Sequence, residues 1–246
     1  MTDLPTAILF DLDDTILSAY SRPELAWQVM AEEFAEALGP IDSATFVRAV
    51  LAQSIAFWAD PAEHKHWRMR IDEARQRIVA ATFDQLAREH GVALRLEDAE
   101  RMATRFNAYR EEVMCPFPGA CETVDSLKRR GVRLALVTNG PGPQQRAKVK
   151  RFELAHRFDH IQIEGEHGFG KPEERAYLHA MQALGVAPNQ TWMVGDNLEW
   201  EVAAPQRLGI YGIWHDVLGQ GLPPGSQVRP DRIIRSLTEL LPTGGS

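Results

Sequence analysis

Residues 7–15 read Ala-Ile-Leu-Phe-Asp-Leu-Asp-Asp-Thr. The apolar run at 7–10 is short and is followed by polar residues, a pattern typical of a buried strand in a parallel sheet. In open α/β sheets, ligands bind in the crevice beyond the carboxyl ends of the strands. The three acids that follow this run are therefore predicted to lie at a ligand-binding edge of the sheet.

Asp11 and Asp13 are two residues apart, so they point to the same side as long as the chain stays extended. Two carboxylates in one small site repel each other and require a proton, a neighbouring lysine or a divalent cation. Oxygen ligands of this kind favour Mg²⁺. The alternative is a polar turn in which Asp14 or Thr15 caps the next helix, and the motif by itself leaves both interpretations open.

The composition indicates a soluble globular protein. Of the 246 residues, 44% are hydrophobic and 25% are charged, which allows a sizeable core. The net charge of −7 argues against a nucleic-acid or membrane-surface binder, since both normally carry a basic face. Cys115 and Cys121 lack metal-site spacing, no secretory apolar region precedes Asp11, and no apolar stretch approaches the ~20 residues that span a bilayer. We therefore expect a cytoplasmic location, no nucleic-acid partner and no membrane partner.

The segment from about 18 to 114 is predicted to be helical. Ser21-Arg22-Pro23-Glu24 resembles a capping box with proline in the first turn, and it predicts a helix that ends before Gly39-Pro40. Further helices are predicted at about 43–58, 62–90 and 97–113, and the region 62–90 is long enough for two helices.

From Pro118 onward, helices alternate with short apolar runs at 132–137, 160–163, 191–194, 210–214 and 232–234. This alternation predicts right-handed crossovers and a mostly parallel sheet with both faces covered. The predicted fold is α/β, with a Rossmann-like core domain (1–17 and 115–246) and an inserted α-helical cap domain (18–114). Because the insertion follows the acidic strand end directly, it could fold over the crevice.

Polar residues also follow two later strands. Thr138-Asn139-Gly140 ends the run at 132–137, and Gly195-Asp196-Asn197 ends the run at 191–194, while Lys171 directly precedes Pro172. Taken singly, these residues are explained by a turn, a helix cap and a solvated cation. Their joint occurrence at the predicted ends of one sheet indicates a functional site.

The ordered set resembles the four motifs of the haloacid dehalogenase-like (HAD) hydrolases. Asp11-Leu12-Asp13-Asp14-Thr15 is similar to the first motif, Thr138-Asn139 to the second, Lys171-Pro172 to the third and Gly195-Asp196 to the fourth. The helical insertion resembles the family's cap of the first type. Within the family, Gln145 and Lys148 after Thr138-Asn139-Gly140 look most like the N-acylneuraminate-9-phosphatase and pyrimidine-nucleotidase branch.

The resemblance implies a Mg²⁺-dependent phosphatase acting on a small phosphate monoester, either a sugar phosphate or a nucleoside monophosphate. Asp11 would be the nucleophile that forms an aspartyl-phosphate, and Asp13 would be the general acid and base. Mg²⁺ would be bound by Asp11, the backbone carbonyl of Asp13, and Asp196. The phosphate would be bound by Thr138, Asn139 and Lys171, with Thr138 and Lys171 also counted as catalytic.

One position departs from the family pattern. Glu201 stands where the branch often has a second Asp, and Trp200 precedes it. We therefore do not expect Glu201 to be a direct metal ligand, and the roles of Glu199 and Glu201 stay open, as does the oligomeric state.

Two other functions compete with phosphate hydrolysis. A carbon–halogen hydrolase of this fold would also use Asp11, but halide needs no proton, so Asp13 argues against it. A receiver-like phosphoacceptor would combine the same residue types, but the size and position of the helical insertion disfavour it.

Overall fold

A computed structural model describes residues 4–19 and 22–242. The chain divides into two compact units: Met1–Ser21 with Cys115–Ser246, and Arg22–Met114. The sequence predicts that the first segment of the core domain ends at residue 17, whereas in this division it ends at residue 21. Within the described residues, no helix is both long enough and apolar enough to cross a membrane.

The first unit contains all the strands found among the described residues. They are β1 (Ala7–Phe10), β2 (Leu17–Ser18), β3 (Cys115–Pro116), β4 (Arg133–Thr138), β5 (His160–Ile163), β6 (Thr191–Gly195), β7 (Tyr211–His215) and β8 (Arg232–Ile234). Six of them form a parallel sheet in the order β5-β4-β1-β6-β7-β8, and β2 pairs antiparallel with β3. The predicted α/β class with a Rossmann-like parallel core is confirmed.

The central strand is β1, which lies between β4 and β6. Leu9 is level with Ala135 on one side and with Met193 on the other, and all four residues of β1 are fully buried. Complete burial on both faces is what a short, uninterrupted apolar run predicts for a parallel strand. The carboxyl ends of β4, β1 and β6 therefore lie side by side, each followed by one of the polar motifs.

The second unit consists of helices: α1 (Pro23–Glu33), α2 (Ala35–Leu38), α3 (Ser43–Phe57), α4 (Pro61–Arg68), α5 (Ile71–His90) and α6 (Leu96–Val113). Its core is apolar, and Trp27 stacks on Phe106 with ring centroids 3.7 Å apart. The region 62–90 does contain two helices. Of the predicted capping box, Ser21 lies outside the described residues, and Pro23 takes the first helical position.

The prediction of one uninterrupted helix up to Leu38 is wrong. The helix breaks at Phe34, whose φ of −108° and ψ of 21° leave the α region. Phe34 packs against the core of this unit, and the Arg101 guanidinium lies 5.7 Å from its ring centroid. The apolar spacing of the sequence does not predict the break at Phe34, where these tertiary contacts are made.

The helices of the first unit are α7 (Ala120–Arg129), α8 (Gly142–Arg151), α9 (Glu164–His167), α10 (Glu174–Leu184) and α11 (Ala204–Arg207). Tyr177, Ala180 and Met181 of α10 pack against one face of the sheet, in a cluster that includes Leu9 and Val137. Helix α8 begins directly after the Thr138-Asn139-Gly140 motif, and this position brings its first turns close to the strand ends.

Candidate active site

Asp11 occupies the first position after β1. Its main-chain N–H donates to the carbonyl of Val194 at 3.0 Å, so the sheet ladder extends one residue beyond the strand and fixes the backbone of Asp11. The chain then turns, since the Leu12 carbonyl accepts hydrogen bonds from the N–H groups of Ile16 and Leu17, both at 2.9 Å. Asp11 is therefore held by the sheet itself, and the residues after it are held by a turn.

The turn residues 14–16 follow Asp13. The carboxylates of Asp11 and Asp13 contact different lysines, and the charge of Asp13 still raises the pKa of Asp11, so the two acids lie close enough to repel each other. Asp14 has a φ of 60°, and its Oδ1 accepts a hydrogen bond from the Ala19 N–H at 2.8 Å. Asp14 therefore caps this turn, and the alternative in which it caps a helix is wrong.

Lys171 is the partner of Asp11. Its ammonium group lies 2.5 Å from Asp11 Oδ1 and 2.8 Å from Glu201 Oε1, and the lysine is completely buried. Burial lowers the pKa of Lys171, but the two carboxylates more than offset this effect, and the net pKa lies above its ordinary value. Lys171 is thus a fixed positive charge beside Asp11, not the solvated surface cation of the alternative interpretation.

Glu201 anchors Lys171 from the opposite side. Its side chain is 1% exposed, and its Oε2 accepts a hydrogen bond from the Asn197 N–H at 2.8 Å. This approach depends on Gly195, because a Cβ at that position would lie 2.0 Å from Cγ of Glu201. The structure therefore gives Glu201 a role that the sequence left open: it holds the lysine, and it does not face solvent.

Asn139 fixes the main chain of Lys171. Its Nδ2 donates to the Lys171 carbonyl at 2.7 Å, and its Oδ1 accepts from the Lys171 N–H at 2.9 Å. A Cβ at Gly170 would lie 2.5 Å from Asn139 Oδ1, so the neighbouring residue must be glycine for this pairing to form. The second and third motifs are thereby joined directly.

Thr138 and Asp13 share a partner on helix α8. Thr138 is 2% exposed, and its Oγ1 accepts a hydrogen bond from Gln145 Nε2 at 2.6 Å. The same nitrogen lies 3.0 Å from Asp13 Oδ2, and Lys148 Nζ lies 2.8 Å from both carboxylate oxygens of Asp13. From the sequence, only the family resemblance singles out Gln145 and Lys148. Their spacing of three residues, on one face of a helix that follows a motif, was the available signal.

The acidic groups exceed the positive charge that Lys171 supplies. Desolvation raises the pKa of Asp11, and Lys171 offsets only part of that rise. Desolvation also raises the pKa of Asp196 well above its ordinary value, and the carboxylates of Glu201, Asp11 and Asp14 raise it further. Raised pKa values on neighbouring acids are the condition that a bound divalent cation relieves.

The donor set fits a magnesium ion. Across residues 4–19 and 22–242, no three or more His, Cys, Asp or Glu side chains are arranged to hold a metal. Mg²⁺ does not need such a cluster, because it is usually bound by one or two carboxylates together with water and substrate phosphate. Asp11 and Asp196 supply two carboxylates of that kind.

Comparison with known proteins gives a consistent result. The family model described as haloacid dehalogenase-like hydrolase matches residues 5–209. A phosphoserine phosphatase from Thermus thermophilus is 34% identical over 190 residues, which are 76% of this chain and 67% of that protein. The N-acylneuraminate-9-phosphatase of Rattus norvegicus is 34% identical over 113 residues, which are 46% and 45% of the two chains.

Among solved structures, the chain is similar to the putative HAD-hydrolase YfnB from Bacillus subtilis, which was described bound to magnesium. The TM-score is 0.65, the sequence identity is 22%, and the match covers 97% of both chains. This likeness shows a common fold.

Proposed function

Since the chain belongs to the haloacid dehalogenase-like hydrolases, we propose that it is a Mg²⁺-dependent phosphatase that hydrolyses small phosphate monoesters. The observation that carries the proposal is the contact between Asp11, at the end of β1, and the buried Lys171 that Glu201 anchors. Its similarity to a phosphoserine phosphatase supports the same activity. Sugar phosphates and nucleoside monophosphates are both candidate substrates.

Asp11 is the proposed nucleophile. Its carboxylate oxygen forms a bond to phosphorus while the bond from phosphorus to the leaving oxygen breaks, which produces an aspartyl-phosphate. Asp13 donates a proton to the leaving oxygen in this step. It then accepts a proton from the water that attacks the aspartyl-phosphate, and inorganic phosphate is released.

The phosphoryl group is proposed to bind to Thr138 and Lys171. The Thr138 hydroxyl can donate to a phosphate oxygen, and the Lys171 ammonium offsets negative charge on phosphate and nucleophile together. Asn139 holds the main chain of Lys171 through its Nδ2 and Oδ1, and its second amide hydrogen is proposed to donate to a phosphate oxygen.

Asp11, Asp196 and the backbone carbonyl of Asp13 are proposed to hold Mg²⁺. When bound, the ion supplies positive charge that neutralises the phosphate and the excess of acids in the site.

The test is phosphate release from a panel of monoesters with Mg²⁺, comparing the wild-type protein with Asp11→Asn. We expect turnover to fall by roughly 10³-fold or more, because an amide is a poor nucleophile. Asp84→Asn is the control: this aspartate is exposed and pairs only at the surface with Arg88. Turnover by folded Asp11→Asn above a tenth of wild type, with deamidation excluded, would refute the nucleophile assignment.

Two further measurements separate the competing functions. Chloride or fluoride release from a 2-haloacid, without phosphatase activity, would identify a carbon–halogen hydrolase. A phosphorylated protein that persists without turnover would identify a receiver-like phosphoacceptor.

A further inference from the structure

The carboxylate of Asp13 is held by two side chains of α8. Lys148 Nζ lies 2.8 Å from Oδ1 and 2.8 Å from Oδ2, and Gln145 Nε2 lies 3.0 Å from Oδ2. Both donors are more than 130 residues distant in sequence, and together they contact both oxygens of the carboxylate. A carboxylate held at both oxygens has a defined rotamer, whereas a lone Asp in a turn samples several.

The burial of these side chains sets them apart from the rest of α8. Lys148 is 5% exposed and Gln145 is 3% exposed, whereas their neighbours Arg146 and Lys150 are exposed. Burying a lysine costs free energy unless its charge is paired, and Asp13 supplies the opposite charge. The helix thus turns one amide and one ammonium toward Asp13 and leaves its other cations in solvent.

Gln145 also connects Asp13 to the proposed phosphate site. Its Nε2 lies 3.0 Å from Asp13 Oδ2, 2.6 Å from Thr138 Oγ1 and 2.8 Å from the Asn139 carbonyl. An amide nitrogen has two hydrogens for these three acceptors, so at least one hydrogen is shared. The orientation of Asp13 is consequently linked to that of the Thr138 hydroxyl.

We propose that Lys148, assisted by Gln145, is a positioning residue that fixes Asp13 for proton transfer to the leaving oxygen. The inference rests on the proposed phosphatase function. A general acid works only within about 2.6–3.2 Å of the oxygen that it protonates, so a loss of orientation at Asp13 reduces the rate even when the carboxyl group is present.

The experiment compares Lys148→Met with wild type on two substrates with Mg²⁺: phenyl phosphate, whose leaving group needs the proton, and p-nitrophenyl phosphate, whose leaving group needs it less. For phenyl phosphate we expect kcat/KM to fall by about 10- to 100-fold, a part of the 10²–10⁴-fold contribution of a general acid. For p-nitrophenyl phosphate the expected loss is at most about a third as large, and Lys148→Arg should recover part of the activity. Lys150→Met, on the exposed side of the same helix, should stay within about 2-fold of wild type.

A double-mutant cycle with Asp13→Asn identifies the residue through which Lys148 acts. Once Asp13 cannot transfer a proton, Lys148→Met should change kcat/KM by less than about 3-fold. A full additional loss in the Asp13→Asn background, or equal losses on both substrates, would overturn the proposal. If Lys148→Met does not fold, Lys148→Gln replaces it in the same cycle. Absence of hydrolysis by the wild-type protein would overturn the phosphatase function itself, whereas an active wild type with additive losses would overturn only the role of Lys148.

Discussion

At the scale of single residues, Asp196 and Glu201 have different surroundings although both are acids after β6. Desolvation raises the pKa of both acids, but Glu201 pairs with the buried Lys171 and accepts a hydrogen bond from the Asn197 N–H, whereas the carboxylates of Glu201, Asp11 and Asp14 raise the pKa of Asp196 further. Glu201 therefore has its opposite charge within the protein, and Asp196 is the acid for which a metal ion would supply it. The two residues should respond differently to substitution.

We expect Asp196→Ala to raise the Mg²⁺ concentration for half-maximal activity by about 10-fold or more, because a metal ligand is lost. Glu201→Gln should change that concentration less and should instead lower kcat, since the neutral amide no longer balances Lys171. Magnesium titrations of the two variants provide the measurement, with the exposed Glu199→Gln as control. A larger shift in magnesium dependence for Glu201→Gln than for Asp196→Ala would contradict the assignment.

At the scale of elements, β5, α9 and α10 bring three histidines together. The ring centroid of His160 lies 5.5 Å from that of His179 and 6.4 Å from that of His167. Desolvation lowers the pKa of His160, and His179, His167 and Arg146 lower it further, while a hydrogen bond with Gln162 raises it in part. Protonation of His160 is therefore less favourable in the folded protein than in the unfolded chain.

This shift predicts how stability depends on pH. The pKa of His160 is lower in the folded protein than its unfolded value of about 6.5. As the pH falls below this value, the unfolded chain therefore binds more protons than the folded protein, and protonation favours unfolding. The contribution of neutral His160 to the free energy of unfolding is fully present above pH ~6.5 and is lost as the pH falls through the pKa of His160 in the folded protein. Urea titrations from pH 7.5 to 5 should show a smaller decrease in unfolding free energy for His160→Gln than for wild type. The exposed His156→Gln serves as control, and identical pH slopes for wild type and His160→Gln would disprove the prediction.

At the scale of the whole molecule, the two units are predicted to divide recognition between them. The groups around Asp11 in the first unit meet a phosphoryl group and a metal ion, which all candidate substrates share, so they cannot distinguish a sugar from a nucleoside. Contacts to the leaving group are needed for that purpose, and we predict that residues of the unit Arg22–Met114 supply them.

Substitutions in the helical unit should therefore change the ratio of kcat/KM between a sugar phosphate and a nucleoside monophosphate, by about 3-fold or more at a contacting residue. The scan covers its charged and aromatic residues, including Arg68 and Arg70, with Arg88→Ala as a surface control. Substitutions of Asp11 or Lys171 should lower both activities alike. A preference that changed only with substitutions in the first unit would refute this division.

The α/β class, the parallel core strands and the order of the polar motifs could all be predicted from the sequence alone. This was possible because burial of a strand depends on a local property, the length and polarity of an apolar run. The predicted first and last residues of the strands at 160–163 and 232–234 match the structure, and those of the other core strands agree to within one residue. The family resemblance, which rests on motif order, was confirmed by the match over residues 5–209.

The pairing of side chains in the site, by contrast, depends on tertiary folding. Asp11 with Lys171 and Asp13 with Lys148 are ion pairs between residues 160 and 135 positions apart, and no local periodicity encodes such a pairing. The same holds for Glu201, whose burial against Lys171 depends on the space left by Gly195. These contacts arise because parallel strands bring their carboxyl ends together at one edge, where packing and charge then select each partner.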